Sequence, residues 1–391
     1  MPMNYSEESL RIHKEKKGKL AMVSKVPLAT RDDLSVAYTP GVAAVSSAIA
    51  KEKSLVYEYT GKGNTVAIVT DGSAVLGLGN IGPEAALPVM EGKAIIFKEF
   101  ADIDAFPLCL ATQDTEEIIN IVKNIAPGIG AVNLEDISAP RCFEIEERLQ
   151  NIGIPVFHDD QHGTAVVVLA GIMNATKAVG KNLHELSVVI SGAGSAGIAV
   201  TKLLSCIGAD EKTCTPVRDI VVCDSKGIIS KDRTDLNAVK KEIVFSTNVF
   251  NKKGTISDAL IGADVLIGVY APGVITQDMI RSMATKAIVF TLANPVPEIL
   301  PHLAKEAGAA VVATGRSDFP NQVNNALAYP GIFKGALMAR ALRITPAMKQ
   351  AAARALASFV SDPSTENILP ALTDKRVALA IAEAVYNAAR S

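Results

Sequence analysis

From about residue 65 onward, the chain alternates short apolar runs with longer segments of helical periodicity. Four apolar runs end in polar loops, and they read TVAIVTDG, DAFPLCLA, GAVNLEDI and PVFHDDQHG. The helix-like segments between them read PEAALPVMEGKAIIFKEF, DTEEIINIVKNIAP and APRCFEIEERLQNIG. Alternation of strands and helices predicts a parallel sheet covered by helices. We therefore predict a first α/β domain over residues 1–162, with a helical leader before Tyr57.

A second alternating series follows a long apolar helix that reads HGTAVVVLAGIMNATKAVG. Its strands are rich in Val and Ile, and they read LSVVISGAGSAG, DIVVCDSKG, GADVLIGVYAPG, AIVFTLANP and AAVVATGRSD. This pattern is typical of a doubly wound nucleotide-binding sheet. Residues 163–391 are therefore predicted to form a Rossmann-type domain. Its Ala-rich end, with MKQAAARALASFV and KRVALAIAEAVYNAA, adds C-terminal helices.

Composition and charge narrow the classes of function. The 391 residues suffice for two domains with their own cores, and a formal net charge of −2 gives no reason to expect a nucleic acid partner. The longest apolar stretches are far shorter than the ~20 residues of a membrane span. No apolar segment follows the basic first 25 residues, so we expect neither a signal nor a transit peptide and a cytoplasmic protein.

The cysteines do not suggest a zinc site. The five of them form no CxxC pair and lack the accompanying histidine spacing. They are Cys109, Cys142, Cys206, Cys214 and Cys223. Because most lie in apolar segments, we expect reduced thiols in the core or on the surface.

A glycine-rich loop follows the first strand of the second series. GAGSAG places Gly192, Gly194 and Gly197 in the GxGxxG pattern, with Ser195 and Ala196 before the last glycine. Glycines at these positions allow a tight turn, close approach of a pyrophosphate and helix–strand packing, and the following helix offers free N–H groups. A tight turn without a ligand is the alternative, but the strand before and the helix after favour a dinucleotide site.

The next strand ends in Asp224, and an acidic residue there accepts hydrogen bonds from the adenosine ribose. This favours NAD as the cofactor. Either Ser225 or Lys226 could contact a 2′-phosphate, so NADP is the alternative.

Four acidic residues follow two strands of the first series. They are Glu135 and Asp136 in NLEDI, and Asp159 and Asp160 in FHDDQHGT. Loops at the carboxyl ends of neighbouring parallel strands converge on one crevice, where four carboxylates require a cation or an ammonium group. Hard oxygen ligands suit Mg²⁺ or Mn²⁺. The alternative is that the acids are solvated residues at helix N-termini.

Two further residues are candidates for proton transfer. Lys93, in the apolar helical stretch VMEGKAIIFK, either extends to water or is held by a carboxylate, where partial burial would lower its pKa towards the range of a base. Tyr38, in VAYTPGVAAV, precedes a Pro-Gly turn, and its alternative role is that of a packed aromatic residue.

Taken together, the motifs resemble those of the malic enzymes, in particular the small-subunit type of bacteria and some protists. The resemblance runs through VAYTPGVA, TDGSAVLGLGNIGPEAALPVMEGKA, NLEDI, FHDDQHGTA, GAGSAG, TLANPVPE and GRSDFPNQVNN. It implies oxidative decarboxylation of L-malate to pyruvate and CO₂, with reduction of NAD(P) and dependence on Mg²⁺ or Mn²⁺.

The resemblance also implies roles for single residues around the reacting atoms. Lys93 would act as general base, oriented by Asp159, and Tyr38 as general acid. The metal ligands would be Glu135, Asp136 and Asp160.

For the substrate and the nicotinamide, the resemblance points to amide side chains. Asn294 in LANP and Asn325 in QVNN would contact the substrate carboxylates and the nicotinamide end of the cofactor. The larger malic enzymes carry a carboxylate-binding arginine shortly after TDG, where this chain has Ser73 and Ala74. That contact is therefore expected from elsewhere in the chain.

Two other functions are open at this point. A malolactic enzyme would share the architecture, keep the cofactor bound and produce lactate, whereas a nicotinamide-binding sensor would not turn over malate. We expect a homodimer with the basic N-terminal helix at its interface. Its ligand would be a small molecule, without nucleic acid or membrane partners.

Overall fold

Two sheets are present in the computed structural model, which describes residues 4–75, 77–210, 214 and 216–391. The strands of the first sheet are all parallel, in the order β2-β1-β3-β4. Their bounds are β1 Thr65–Thr70, β2 Asp104–Cys109, β3 Ala131–Leu134 and β4 Val156–His158. Each corresponds to one of the four apolar runs of the first series, so the predicted parallel sheet is confirmed.

The second sheet has the order β10-β9-β8-β5-β6-β7. Its strands are β5 Ser187–Ser191, β6 Asp219–Asp224, β7 Gly227–Ile228, β8 Val265–Gly268, β9 Ile288–Thr291 and β10 Val311–Thr314. The order reverses at β5, which lies between β6 and β8, and this is the doubly wound arrangement that the sequence predicts. The two-residue strand β7 is antiparallel to β6 and was not predicted, because it is too short to form a pattern.

Helices precede, connect and follow the strands. Their bounds are α1 Tyr5–Lys16, α2 Arg31–Ala37, α3 Val42–Lys51, α4 Val56–Tyr59, α5 Pro83–Ala101, α6 Thr115–Ile125, α7 Arg141–Leu149, α8 Asp159–Val179, α9 Ser195–Leu204, α10 Ala238–Val244, α11 Ile256–Leu260, α12 Gln277–Arg281, α13 Pro301–Glu306, α14 Tyr329–Met338, α15 Pro346–Ser358 and α16 Arg376–Arg390. Short 3-10 turns lie at Lys53–Leu55, Gly61–Asn64, Ala126–Gly128, Leu183–Glu185 and Asn325–Leu327. Over the residues that the structure describes, no helix combines the length and the apolar character needed to cross a membrane.

Strands β1, β3 and β4 are buried on both faces, which explains why they read as unbroken apolar runs, whereas the edge strand β2 is only partly buried. Val66 and Ile68 of β1 pack into one core with Phe97 of α5. Ala67 and Val69, on the opposite face, belong to a separate core that α6 and α7 cover. Alternate residues of β1 therefore contribute to different cores.

The core that contains Val66 continues without interruption into the second sheet, where it includes Val188 and Ile190 of β5. The helix α8 connects the two sheets, because it begins directly after β4 and most of its residues are buried. The predicted domain boundary at residue 162 falls inside α8. It stays a prediction about how the chain divides.

The N-terminal leader is helical, as predicted, but it is packed loosely. None of the residues of α1 to α4 is buried, and large apolar side chains such as Met22 and Val23 are exposed. Within the described structure, the hydrogen bonds of residues 26–52 stay within the leader itself. Among the described residues, the leader therefore leaves large apolar side chains exposed to solvent.

The expectation that all five cysteines are reduced is wrong for two of them. Cys206 and Cys214 form a disulfide, with their Cα atoms 5.8 Å apart. The chain turns back after α9, with Cys206 in a left-handed conformation at φ 56°, and this turn brings the two thiols together. Spacing alone does not reveal such a turn. Cys109, Cys142 and Cys223 are free thiols, as expected.

Candidate active site

The two acidic pairs meet at the carboxyl ends of β3 and β4. These strands are neighbours and parallel, with Leu134 opposite His158, so the residues that follow each strand lie side by side. Glu135, Asp136 and Asp160 each place a carboxylate oxygen within 4.8 Å of the others. The convergence expected from the strand-end positions is therefore present in the structure.

Burial and mutual repulsion act together on these carboxyl groups. Glu135 is 3% exposed and Asp136 4% exposed, whereas the side chain of Asp160 is 36% exposed. Burial, reinforced by the neighbouring charge of Asp160, raises the pKa of Asp136 to about 7. Burial also raises the pKa of Glu135 well above its ordinary value, although Lys93 opposes the shift. The charge of Lys93 alone therefore does not neutralise the carboxylates of the cluster.

A carboxylate oxygen without a hydrogen-bond partner indicates which kind of ligand the acidic cluster could bind. Asp136 Oδ2 is buried and has no hydrogen-bond partner among the described residues. The backbone N–H of Asp136 donates to Asp160 Oδ2 at 3.1 Å, which fixes that carboxylate beside it. An oxygen-only donor set with an unsatisfied buried carboxylate oxygen fits a hard divalent cation such as Mg²⁺ or Mn²⁺.

Lys93 points from α5 into this cluster and does not extend to water. Its Nζ lies 2.6 Å from Asp159 Oδ2 and 2.8 Å from Glu135 Oε1, and its side chain is 10% exposed. Burial lowers the pKa of Lys93, but the charges of Asp159 and Glu135 outweigh burial and raise the pKa well above its ordinary value. The expected lowering by burial is therefore wrong for this arrangement. The two neighbouring carboxylates determine that the pKa of Lys93 rises.

A second tyrosine, missed in the sequence, lies against Lys93. Lys93 Nζ is 4.5 Å from the centre of the Tyr329 ring, which is fully buried at the start of α14. The Tyr329 hydroxyl has no hydrogen-bond partner among the described residues, and burial raises its pKa well above the ordinary value. Tyr329 lies in the apolar run ALAYPG, four residues after Asn325, and nothing in this run marks the tyrosine itself as a site residue.

Tyr38 is placed differently from the other candidates. It follows α2 directly, is 67% exposed and precedes a cis Thr39–Pro40 bond. It does not line the cavity that contains the acidic cluster. A single chain therefore does not bring Tyr38 to Lys93 in the way that it brings Asp159 there.

The glycine-rich loop has the geometry of a phosphate-binding turn. A Cβ atom on Gly197 would lie 1.9 Å from the Gly192 carbonyl oxygen, so only glycine allows this helix–strand contact. Gly194 faces open space, and a Cβ atom there would meet nothing within 4 Å. The helix α9 begins at Ser195 without a side-chain cap, so its first N–H groups remain available.

Asp224, at the end of β6, is held by neighbours that the sequence did not indicate. Arg233 donates to Oδ1 at 2.7 Å and to Oδ2 at 3.1 Å, and Lys240 donates to Oδ2 at 2.7 Å. The backbone N–H of Lys226 donates to Oδ1 at 2.9 Å. Although burial raises the pKa of Asp224, these donors lower it to about 2. All four lone-pair positions of the carboxylate are therefore occupied.

One cavity joins the acidic cluster to the glycine-rich loop. Its volume is about 430 Å³, and loops from both sheets line it. The lining includes the predicted site residues Asp136, Asp160, Ser195, Ala196, Asn294 and Asn325. The structure thus brings together the candidates for metal, cofactor and substrate contacts.

The guanidinium group of Arg141 lies beside Ser73, one of the two positions where the sequence analysis noted the absence of a carboxylate-binding arginine. Arg141, at the start of α7, donates to Ser73 Oγ at 3.0 Å and to Ser138 Oγ at 3.1 Å, and it pairs with Asp71 at 2.9 Å. The sequence did not indicate Arg141 because two of its partners, Asp71 and Ser73, are distant in the chain. These contacts tie the loop after β1 to the loop after β3, which carries Glu135 and Asp136.

Comparisons with known proteins agree with this site. Residues 17–150 match the family described as "Malic enzyme, N-terminal domain", and residues 161–390 match "Malic enzyme, NAD binding domain". The bifunctional malic/malolactic enzyme of Bacillus subtilis is 55% identical, over 99% of this chain and 93% of the relative. The NAD-dependent malic enzyme of Geobacillus stearothermophilus is also 55% identical, over 95% of this chain and 77% of the relative. Further relatives are named NADP-dependent malic enzymes.

Among solved structures, the malic enzyme from Pyrococcus horikoshii superimposes with a TM-score of 0.93 at 49% identity. The match covers 99% of this chain and 90% of that structure. The similarity therefore extends over both sheets and the helices that follow them.

Proposed function

The chain belongs to the malic enzyme family, and on that premise we propose that it converts L-malate and NAD(P)⁺ to pyruvate, CO₂ and NAD(P)H. One observation carries the proposal. Lys93 is buried between Asp159 and Glu135, beside a carboxylate cluster that opens into the same cavity as the glycine-rich loop. A proton-transfer group, a cation site and a nicotinamide site are thus within reach of one small substrate.

We propose that Glu135, Asp136 and Asp160 hold a divalent cation, Mg²⁺ or Mn²⁺. When bound, such a cation supplies positive charge to the malate hydroxyl and offsets the carboxylates that raise the pKa of Lys93. Asp159 is fully buried and paired with Lys93, so its role is to fix the ammonium group in place.

Lys93 is proposed to accept the proton of the malate C2 hydroxyl as the hydride leaves C2 for the nicotinamide. Its two short ion pairs hold Nζ at one position, as proton transfer within a bound complex requires. Asn294 and Asn325 line the cavity and are proposed to contact the substrate carboxylates, with Asn294 also facing the nicotinamide.

Tyr38 is proposed as the group that protonates C3 after decarboxylation, when a second chain completes the site. The hydrogen bonds of its segment, residues 26–52, stay within the leader throughout the described structure, and apolar side chains are exposed there. We therefore propose a homodimer in which the leader docks on the partner subunit. Burial of these apolar side chains would stabilise the dimer.

For the cofactor, we propose that NAD is preferred and that NADP is also accepted. Asp224 provides the acidic strand end typical of NAD-binding sites, and a ribose hydroxyl would bind there by displacing one of its four donors. However, Arg233 and Lys240 neutralise it, and both side chains are cationic groups of the kind that contacts a 2′-phosphate. The network therefore discriminates less sharply than an unpaired carboxylate would.

A malolactic activity is the second candidate, because the Bacillus subtilis relative is named as bifunctional. The experiment that tests both is malate turnover with each cofactor, with and without EDTA, in which A340 and lactate are followed together. Accumulating NAD(P)H that EDTA abolishes supports the malic activity. Lactate without NAD(P)H would show the malolactic reaction, and cofactor binding without turnover would leave a sensor.

A further inference from the structure

Glu146, a buried acidic residue outside the carboxylate cluster, contacts the segment that carries Asp159 and Asp160. Glu146 of α7 is only 8% exposed. Its Oε1 accepts the backbone N–H of His158 at 3.0 Å, and its Oε2 lies 2.9 Å from His162 Nε2. These two contacts lie on either side of Asp159 and Asp160.

The contact with His158 takes the place of a side-chain cap at the N-terminus of α8. His158 is the N-cap residue of α8, and no side-chain hydrogen bond caps this end. In a capping box, an acidic residue of the helix itself accepts the N–H of the N-cap residue. Here Glu146 performs that task from a different helix, and its negative charge lies near the positive end of the α8 dipole.

The second contact extends the network to a third helix. Lys349 of α15 lies 3.1 Å from His162 Nδ1. Because Lys349 is a donor and Glu146 an acceptor, the neutral His162 ring carries its proton on Nε2 and points it at Glu146. Burial raises the pKa of Glu146, but His162 and Lys349 outweigh burial and lower it to about 2. Glu146 is thus an anion that accepts from His158 and His162 and lies within the field of the Lys349 charge.

We propose that Glu146 is a positioning residue for the metal site, which fixes the turn between β4 and α8 and thereby the directions of Asp159 and Asp160. The inference rests on the proposed function. Without such a hold, the repulsion between Asp160 and the neighbouring Glu135 and Asp136 would turn the first residues of α8 outward. Contacts of this kind behind metal ligands commonly control affinity for the ion.

A role in stability alone makes a different prediction. If Glu146 only ties three helices together, its replacement lowers the melting temperature but leaves the affinity of the folded protein for Mn²⁺ unchanged. If it positions Asp160, Mn²⁺ affinity falls even under conditions where the protein is fully folded. Binding of Mn²⁺ without malate is therefore the deciding measurement, and it is independent of turnover.

The experiment compares wild type, Glu146→Gln, Glu146→Met and the control Glu147→Gln in the full-length chain. Glu147 is the next residue of α7 and is exposed, so the control repeats the same chemical change outside the network. Free Mn²⁺ is measured by electron paramagnetic resonance, and NADH binding by fluorescence. Glu146→Met is expected to weaken Mn²⁺ binding about 10–100-fold, with NADH binding unchanged.

Glu146→Gln is expected to weaken Mn²⁺ binding about threefold to tenfold, since its amide oxygen still accepts the His158 N–H but its NH₂ group faces a donor at His162. If Glu146→Met does not fold, Glu146→Gln decides. A Mn²⁺ affinity within about twofold of wild type in the folded variants overturns the inference. Failure of the wild type itself to bind Mn²⁺ would instead contradict the proposed metal site.

Discussion

The Nζ atom of Lys93 lies 2.6 Å from Oδ2 of Asp159, and the Asp159 side chain is fully buried. This ion pair joins α5 to the first turn of α8. Lys93, the proposed proton-transfer group, is thus held by a residue of a helix that is distant in the sequence. Removing one partner of a buried pair leaves an uncompensated charge, which destabilises a protein by about 3–5 kcal/mol. Loss of either partner alone is therefore expected to disturb the folding of this region as well as the proposed chemistry.

Lys93→Ala is expected to retain NAD binding and to lose malate oxidation by about 10²–10⁴-fold, because the general base is removed. Steady-state turnover and NADH binding check this. Lys98→Ala is the matched control, since Lys98 lies on the same helix, is exposed and pairs only with surface carboxylates. Near-normal turnover of a folded Lys93→Ala variant would exclude lysine from the mechanism.

Asp160→Ala is expected to raise the Mn²⁺ concentration needed for half-maximal activity by about 10-fold or more, because one of three proposed ligands is lost. The titration is performed after EDTA treatment and dialysis. Asp278→Ala provides the control, because Asp278 also lies in the first turn of a helix but is far more exposed. An unchanged Mn²⁺ requirement would contradict the assignment of Asp160 to the metal.

Asp224→Ser is expected to increase kcat/KM for NADP about 10-fold relative to NAD. Without the carboxylate, Lys240 and the Nη1 group of Arg233 can contact a 2′-phosphate, while Arg233 keeps its ion pair with Asp235. Initial rates with both cofactors measure the ratio, and Asp232→Ser, an exposed residue paired with Lys253, is the control. A ratio that does not move would show that the strand-end acid has no part in selecting the cofactor.

The stability of the protein is expected to rise between pH 8 and pH 10.5 through Lys349. Burial lowers the pKa of Lys349 to about 8, below its ordinary 10.5. In that interval the unfolded chain binds more protons than the folded one, so increasing pH favours folding. Relative to Lys349→Met, wild type should gain on the order of 3 kcal/mol across this range in urea titrations. A difference that stays constant with pH would contradict the lowered pKa.

Alkylation of the unfolded chain without reductant is expected to modify three cysteines, and after reduction all five. The protected pair is the Cys206–Cys214 disulfide. Mass spectrometry of the intact protein and of its peptides checks the count and the positions. Five modified cysteines without reductant would show that this disulfide does not form.

The sequence predicts those features of the fold that are encoded locally. Each predicted strand exists, and GxGxxG is in its expected turn, because apolar runs and glycine positions are properties of short segments. The convergence of Asp136 and Asp160 also follows, since neighbouring parallel strands end at the same edge. The order of the strands in a parallel sheet is sufficient to predict this part of the site.

The partners of the site residues could not be predicted in the same way. Tyr329 reaches Lys93 from an apolar run, and Arg233 reaches Asp224 from a loop without any pattern. Glu146 looks like one of several acids on an amphipathic helix until its distance to His158 is known. Such contacts depend on how distant segments pack, and hydrophobic periodicity carries no information about them.

The uninterrupted core that runs from β1 through α8 to β5 has a mechanical consequence. A hinge between the two sheets would have to separate tightly packed apolar side chains, so the halves should move as one rigid unit. The spacing between the carboxylates and the glycine-rich loop is then set when the chain folds. Substrate and product therefore enter and leave a cavity whose two sides are held by the sheets as a fixed frame.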